Sequence, residues 1–347
     1  MSITIDTYRY EEIYPSFKAA TDEKEKTARI NAAFLNHLAE AGIVLTGGDP
    51  ISIADIGSGP CDTLVKYLTG VKFDPGYKVR ATDYSLEYTD ERKGEALATL
   101  AAAKSAGTLK LVDFSARAGD SFAGHLIDLL GSQGAAARPH EFRIVFASHV
   151  LYHCETAGST ERLIEDVAQN VLADDGICIL YHLAKVPLSF QDFRARYGSN
   201  SAAAAHSNTP AVAIDDPPAK VAEVCAARGI PCLRKDFTAD LRFAIPDGKI
   251  WSYFRDPKKY EELCQLHPAA AEDLKRLMFM TQRAPNEFAA DSSPTGLSAY
   301  LDEVGEVLKH NAGILKLAES MQVIYRPGAS DDFGKRIGDA LSSVSLA

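Results

Sequence analysis

The first strong pattern along the chain is helical. In "DEKEKTARINAAFLNHLAEAG" (22–42) Ile30, Phe34 and Leu38 recur every four residues, which puts one apolar stripe on a helix that ends near Gly42. Upstream, Tyr8, Tyr10, Tyr14 and Phe17 form an aromatic cluster, so the pattern predicts an N-terminal helical segment over 8–40. The period then changes. "ISIADI" (51–56) is a short apolar run before two glycines, and "DTLVKYL" (62–68) returns to helical spacing with Leu64, Val65 and Leu68: strand, tight turn, helix. The alternation continues with "KVRATDYS" (78–85) as a second strand ending at Asp83 and "LEYTDERKGEALATLAAAKSAG" (86–107) as the helix behind it. "TLKLVDFS" (108–115) reads as a third strand and "FRIVFASHVLYHC" (142–154) as a fourth. "TERLIEDVAQNVLADDG" (160–176) reads as a helix closed by Gly176, and "ICILYHLAK" (177–185) as a fifth strand. This β-α-β order predicts an α/β fold with a doubly wound, mostly parallel sheet and ligands at the strands' carboxyl ends.

After Lys185 the composition shifts. "RYGSNSAAAAHSNTPAVAIDDPP" (196–218) is rich in Ala, Ser, Asn and Pro and reads as a long loop or lid. "PPAKVAEVCAARGIPCLRKDFTADLRFAI" (217–245) reads as helix then strand, and "WSYFRDPKKYEELCQ" (251–265) and "AAEDLKRLMFMTQ" (270–282) read as helical. "SMQVIYRPG" (320–328) is the expected returning strand. In the tail, Phe333, Ile337, Leu341 and Val344 predict a short amphipathic helix. The expected division is a helical cap over 1–48, a Rossmann-like core over 49–185, a substrate-binding insertion over 186–310, and the last strand and tail over 311–347.

Composition narrows the function. With 347 residues, 46% of them hydrophobic, the chain can bury a large core and is expected to be globular and soluble. Thirty-seven Lys and Arg against 47 Asp and Glu give a formal charge of −10, with no dense basic run to follow a phosphate backbone, so nucleic acid is excluded as the expected partner. The first residues lack the basic flank and apolar core of a secretory signal, and no apolar stretch is long enough to span a bilayer. The expected compartment is the cytoplasm, with no membrane partner. The six cysteines show no C-x-x-C pair and read as reduced, packed thiols, with no metal expected. Oligomeric state is not legible.

The turn "DIGSGPCD" (55–62) carries the chemistry. Gly57 and Gly59 let backbone approach a ligand, and the helix amino end presents N–H groups. A dinucleotide fingerprint needs a third glycine where Asp62 stands, and that carboxylate opposes a pyrophosphate. S-adenosylmethionine has no phosphate and carries cationic sulfonium and ammonium groups, so Asp55 and Asp62 suit it. Asp83 is the natural acceptor for ribose hydroxyls, or else a cap for the helix starting at Ser85. Asp113, after the third strand, and Asp120 are candidates for the adenine amino group, or else solvated loop charges.

Together "ADIGSGPCD", "ATDYS", "DFS" and "VFASHVLYHC" resemble the successive motifs of class I S-adenosylmethionine-dependent methyltransferases over 50–185, with Cys61 where a third glycine often stands. The resemblance implies a cofactor site of Asp55, Gly57, Ser58, Gly59, Asp83, Tyr84, Ser85, Asp113 and Ser148, and S-adenosylhomocysteine as product. More of the chain resembles the histamine N-methyltransferase family. "RYEEIYPSFKAATDEKEK" matches its opening helix and loop, implying that Tyr10, Tyr14 and Glu23 line an amine site. "FASHVLYHC" matches a segment with a glutamine and paired tyrosines, placing His149, Tyr152 and His153 there. "FRARYGS" matches a W-x-x-Y-G-S stretch, and "GEVLKHNAG" a segment whose asparagine contacts substrate, placing Asn311 there. His149 and His153 depart from that pattern, which counts against histamine itself as the acceptor.

The expected activity is methyl transfer to a small-molecule acceptor, foremost the nitrogen of an amine, imidazole or amino-acid-like metabolite. Glu23 would hold a cationic amine while Tyr10, Tyr14, Tyr152 and Trp251 wall the pocket, and His149 or His153 would accept the released proton. Against these stand plainer readings: Glu23 in a solvated charged run, Tyr10 and Tyr14 as one helical core face, His153 as a cap, and Phe193 and Trp251 as core. Oxygen or sulfur methylation, a non-catalytic cofactor-binding module and a nicotinamide-dependent oxidoreductase are the other functions this pattern admits.

Overall fold

In a computed structural model of the chain, the structure describes residues 10–43, 49–72, 76–83, 90–118, 126–130, 137–151, 154, 158–198, 214–244, 262, 265, 266, 268–282 and 296–346. The elements are α1 (Tyr10–Ala20), α2 (Glu23–Glu40), β1 (Ile51–Ile56), α3 (Asp62–Leu68), β2 (Tyr77–Asp83), α4 (Asp90–Ser105), β3 (Leu111–Ala118), α5 (Leu126–Leu129), β4 (Phe142–Ser148) and α6 (Ser159–Asp166). A π-helical turn (Val167–Val171) leads into β5 (Leu172–Leu183). Then come α7 (Phe190–Tyr197), α8 (Pro217–Arg228), β6 (Cys232–Arg242), α9 (Pro268–Thr281), α10 (Leu297–His310), β7 (Ile314–Tyr325) and α11 (Asp331–Ser343).

The seven strands form one sheet in the order β3-β2-β1-β4-β5-β7-β6. The pairings from β3 through β5 are all parallel. The mostly parallel α/β sheet expected from the strand and helix alternation is therefore the observed one. Its order reverses between β1 and β4, and such a reversal opens a crevice at the carboxyl ends of those two strands.

The chain divides into two compact units, one of residues 1–23, 183–216 and 238–318, the other of 24–182, 217–237 and 319–347. In the second unit the inner strands are buried on both faces, which is why β1 and β4 read as nearly unbroken apolar runs. Ile30, Phe34 and Leu38 of α2 and Phe333, Ile337, Leu341 and Val344 of the tail belong to its core, as their spacing requires. Both ends of α11 are held. The Ser330 side chain accepts from the Phe333 N–H at 3.2 Å, and the Lys235 ammonium donates to the carbonyls of Leu341 and Val344 at 2.9 and 2.7 Å. The first unit has its own core, which gathers Phe17 of α1, Phe190 of α7, Leu277 of α9 and Tyr300 of α10.

Several expected boundaries are corrected. The N-terminal helical segment is two helices, because Thr21 bridges Leu241 in antiparallel fashion and the Asp22 carboxylate accepts the Asp240 N–H at 2.7 Å. The helix expected over 160–176 ends in the π turn, and Gly176 lies inside β5. Pairing with β4 jumps from Leu172 to Ile177, and a Cβ at Gly176 would sit 2.7 Å from the Phe142 carbonyl oxygen, so glycine serves an irregularity in the strand and not a helix stop. The last strand starts at Ile314, earlier than expected, since its first residues alternate buried and exposed and so lack an apolar run. The helix expected over 251–265 falls almost wholly outside the described residues.

Candidate functional site

The turn after β1 is built by its neighbours. Asp55 is 6% exposed and stands opposite Ala81 of β2 and Phe146 of β4. The N–H groups of Gly57 and Ser58 both donate to the Thr82 carbonyl, at 2.7 and 3.1 Å, which ties the turn to the end of β2. Gly57 has φ +75°, and a Cβ there would lie 2.2 Å from Val150 Cγ1, so the strand-end segment following β4 demands glycine. Gly59 has φ +49° and nothing within 4 Å of where its Cβ would be. At Gly57 protein excludes any side chain, whereas a side chain at Gly59 would meet open space. Cys61 holds φ 61° in the left-handed region with no side-chain cap on α3, so the cysteine occupies the conformation that a third glycine would take freely. Asp62 opens α3 and is half-buried.

A second group of polar side chains lies at the end of β4. Ser148 Oγ and Tyr67 Oη share a hydrogen bond at 3.0 Å, Tyr181 donates to Asn31 Oδ1 at 3.0 Å, and Asn31 Nδ2 donates to the Tyr67 carbonyl at 2.9 Å. This network joins α2, α3, β4 and β5. The next residue, His149, has φ 56°, and its N–H donates to the Tyr181 carbonyl at 2.8 Å. A left-handed backbone is uncommon at any residue other than glycine, although histidine adopts it more readily than most, and here the hydrogen bond to Tyr181 helps to hold it. His149 Nε2 stands 3.8 Å from Glu319 Oε2, with the side chains 20% and 1% exposed. The His182 ring meets His149 edge-on at 6.0 Å between centroids. Burial holds His182 well below the usual imidazole range, and His149 adds to that in the same direction.

The other expected residues fall as follows. Glu23 opens α2 and is 3% exposed, which overturns the reading of a solvated run. Tyr14 packs against Phe17 and Phe279, with ring centroids 6.2 and 5.6 Å away, as part of an aromatic cluster in the first unit's core. Phe193 is fully buried in that core. Asp113 is not after the third strand: β3 begins at Leu111, and Asp113 pairs with Arg80 at 2.8 Å near that strand's amino end. The apolar residues of "LKLVDFS" start the strand later than they suggest, and Asp113 is thereby removed from the carboxyl ends. Asn311 is exposed in the turn between α10 and β7 and lines, with Glu303, His310, Lys316 and Leu188, a groove of about 770 Å³ in the first unit. Asp83 ends β2, with its side chain outside the described atoms, as is that of Tyr10 in α1. Tyr84, Ser85, Asp120, Tyr152, His153 and Trp251 lie outside the described residues.

Glu319 and His182 were missed by sequence reasoning. Their signal was a single carboxylate in "LKLAESMQVIY" and a single imidazole in "ICILYHLAK", each an ionisable group inside an apolar strand run. Among the described residues no helix is long and apolar enough to cross a membrane.

No protein-family model and no curated protein matches the chain. Among solved structures it is similar to a candidate sarcosine dimethylglycine methyltransferase from Galdieria sulphuraria, with TM-score 0.41, 10% identity, and 86% of either chain covered. It is also similar to the YcgJ protein of Bacillus subtilis, with TM-score 0.40, 14% identity, and coverage of 85% of this chain and 99% of that one. A third is phosphoethanolamine N-methyltransferase 2 of Haemonchus contortus in complex with S-adenosyl-L-methionine, with TM-score 0.36, 11% identity, and coverage of 84% and 52%.

Proposed function

We propose that the chain is an S-adenosylmethionine-dependent methyltransferase that alkylates a nitrogen of a small amine, imidazole or amino-acid-like acceptor. The observation that carries the reading is the turn from Gly57 to Asp62: Gly59 faces open space at the amino end of an uncapped helix whose first residue is acidic. Backbone N–H groups there favour polar ligand atoms, while Asp62 together with buried Asp55 disfavours a phosphate and favours a cation. Those residues fit a nucleoside with a cationic side chain. Gly59 and Asp62 would hold that end, and Asp83 remains the proposed ribose partner.

When bound, S-adenosylmethionine supplies an electrophilic methyl group for in-line displacement. The protein's part is to orient the acceptor, exclude water and take a proton. His149 sits at the carboxyl end of β4 with the buried Glu319 carboxylate 3.8 Å away, so a proton leaving the acceptor has an imidazole to receive it and an acid to stabilise the resulting cation. Its neighbour Ser148 is fixed by Tyr67 of α3, so the helix that follows the glycine turn also braces the strand end bearing the base.

The test is a thermal shift with S-adenosylmethionine, S-adenosylhomocysteine and NAD(P)H, followed by an acceptor screen for S-adenosylhomocysteine release. Stabilisation by both sulfur ligands and turnover with amines or imidazoles is expected. A shift with NAD(P)H alone overturns cofactor and reaction together, whereas turnover restricted to thiols or carboxylates overturns the nitrogen acceptor and leaves methyl transfer standing.

A further inference from the structure

The turn that leads into α7 in the first unit puts a leucine where glycine is expected. The Ser189 N–H donates to the Val186 carbonyl at 3.0 Å, closing a turn with Pro187 second and Leu188 third, and Leu188 takes φ 62°. A positive φ at the third position belongs to glycine in a type II turn, and a bulky side chain there is strained. The turn is nevertheless pinned to α7. The Ser189 hydroxyl caps that helix and also accepts the Val186 N–H at 3.3 Å, and Asp192 Oδ2 accepts the Leu188 N–H at 2.9 Å. Five large apolar side chains are exposed among the described residues, and this one turn carries two of them, Val186 and Leu188. Both line the groove of about 770 Å³, together with Val307 of α10 and Ala318 of β7.

A fixed carboxylate lines the same groove. Arg196 Nη1 and Tyr197 Oη of α7 both donate to Glu303 Oε2 of α10 at 2.6 Å, so the carboxylate is held through one oxygen, while Oε1 receives no hydrogen bond among the described residues. Arg196 Nη2 also donates to Asp192 Oδ2 at 3.0 Å, and the guanidinium lies over the Phe193 and Tyr197 rings at 5.0 and 5.1 Å. One cation thus serves two carboxylates and leaves one negative charge. The Arg196 guanidinium outweighs burial and, with Tyr197, keeps the Glu303 carboxyl below the usual carboxylate range. Lys316, the ammonium of the lining, is held by Asp240 at 2.7 Å. We infer that this groove binds a small amphipathic amine, its ammonium on Glu303 Oε1 and its apolar body over Leu188, Val186 and Val307. Such a ligand neutralises the carboxylate and buries the exposed leucine, and the groove has the volume of a small-molecule site. Its binding requires neither S-adenosylmethionine nor His149.

Calorimetric titration of the full chain tests this with phenethylamine, and with phenethyl alcohol and hydrocinnamate as its neutral and anionic counterparts. The amine should bind, and both counterparts should bind about tenfold more weakly, since only the amine complements the carboxylate. Glu303→Gln keeps an acceptor for Arg196 and Tyr197, and it should weaken the amine about tenfold while leaving the alcohol unchanged. Leu188→Gly suits φ 62° and removes the apolar cover, so it should weaken amine and alcohol alike, by about threefold. Circular dichroism of both variants confirms that they fold. Absence of amine binding, or equal binding of the counterparts, would overturn the inference. Amine binding that survives both substitutions unchanged lies elsewhere on the chain and overturns it too, without touching the methyl-transfer reading. Tighter binding of acetyl-leucyl-lysyl-leucinamide than of the amine would make the occupant a polypeptide and overturn the small-molecule site.

Discussion

Gly57 and Gly59 are two residues apart in one turn, yet their surroundings assign them different duties. At Gly57 an added methyl meets Val150 at 2.2 Å on top of the left-handed φ, so Gly57→Ala should cost more than the ~1–2 kcal/mol of backbone strain alone. At Gly59 only strain applies, and Gly59→Ala should cost about 1 kcal/mol while narrowing the open face. Urea midpoints with and without S-adenosylhomocysteine check both: equal losses for the two variants would contradict the Val150 contact. That both glycines mark a tight strand-to-helix turn is legible from their spacing. Which one packs against protein is not, because Val150 lies nearly a hundred residues further on. A still greater separation along the chain hides Glu319 as the partner of His149.

His182 gives a pH prediction of definite sign. Above about pH 6.5 neither the folded nor the unfolded chain protonates it; below that only the unfolded chain does, until its depressed folded pKa is reached. Stability should therefore fall as pH drops below about 6.5, by up to about 1.4 kcal/mol per pH unit from this group. In His182→Asn that share of the slope should vanish. Urea midpoints at neutral and mildly acidic pH provide the measurement, and an unchanged difference between the two pH values would remove His182 from the account.

Among helices and strands, α3 carries two duties, since its first turn faces the glycines and its far end holds Ser148 through Tyr67. Tyr67→Phe removes that hydrogen bond and should cost about 1 kcal/mol of stability, measured by thermal unfolding. With turnover established, it should also lower kcat more than it raises the KM for the cofactor. For α11, Ser330→Ala should cost about 1 kcal/mol, because it leaves the Phe333 N–H without its cap. Elements were most legible where burial on both faces made a strand uniformly apolar, as in β1 and β4. They were least legible where the backbone departs from regular geometry. The π turn after α6 and the shifted pairing around Gly176 come from fitting Leu172 and Ile177 against one short stretch of β4, a tertiary demand with no local period.

Over the full length of the chain, parallel topology follows directly from the order of elements, since parallel neighbours need crossovers and the intervening helices supply them. The two compact units do not follow, because each is assembled from three separated segments whose ends fall within β5, β6 and β7 or beside helices. No change of composition marks a boundary inside a strand. Ligand linkage reports on the second unit, which contains the glycine turn: S-adenosylhomocysteine at about a hundred times its Kd should add about 2.7 kcal/mol to the unfolding free energy. Hydrogen exchange should register that gain in β1, β4 and α3, and a uniform lack of protection there would oppose cofactor binding.

The position of β7 between β5 and β6 bears on how the chain is made. A ribosome completes β6 at Arg242 and must synthesise more than seventy further residues before the strand that pairs with it begins at Ile314. During that interval β5 and β6 each present a long unpaired edge, with Leu241 and Tyr181 among the residues that will later be fully buried. Nascent chains halted before Ile314 should therefore be bound by chaperones or aggregate, and those released after Tyr325 should not. Ribosome-stalled chains of graded length, scored for solubility, would locate that threshold at β7.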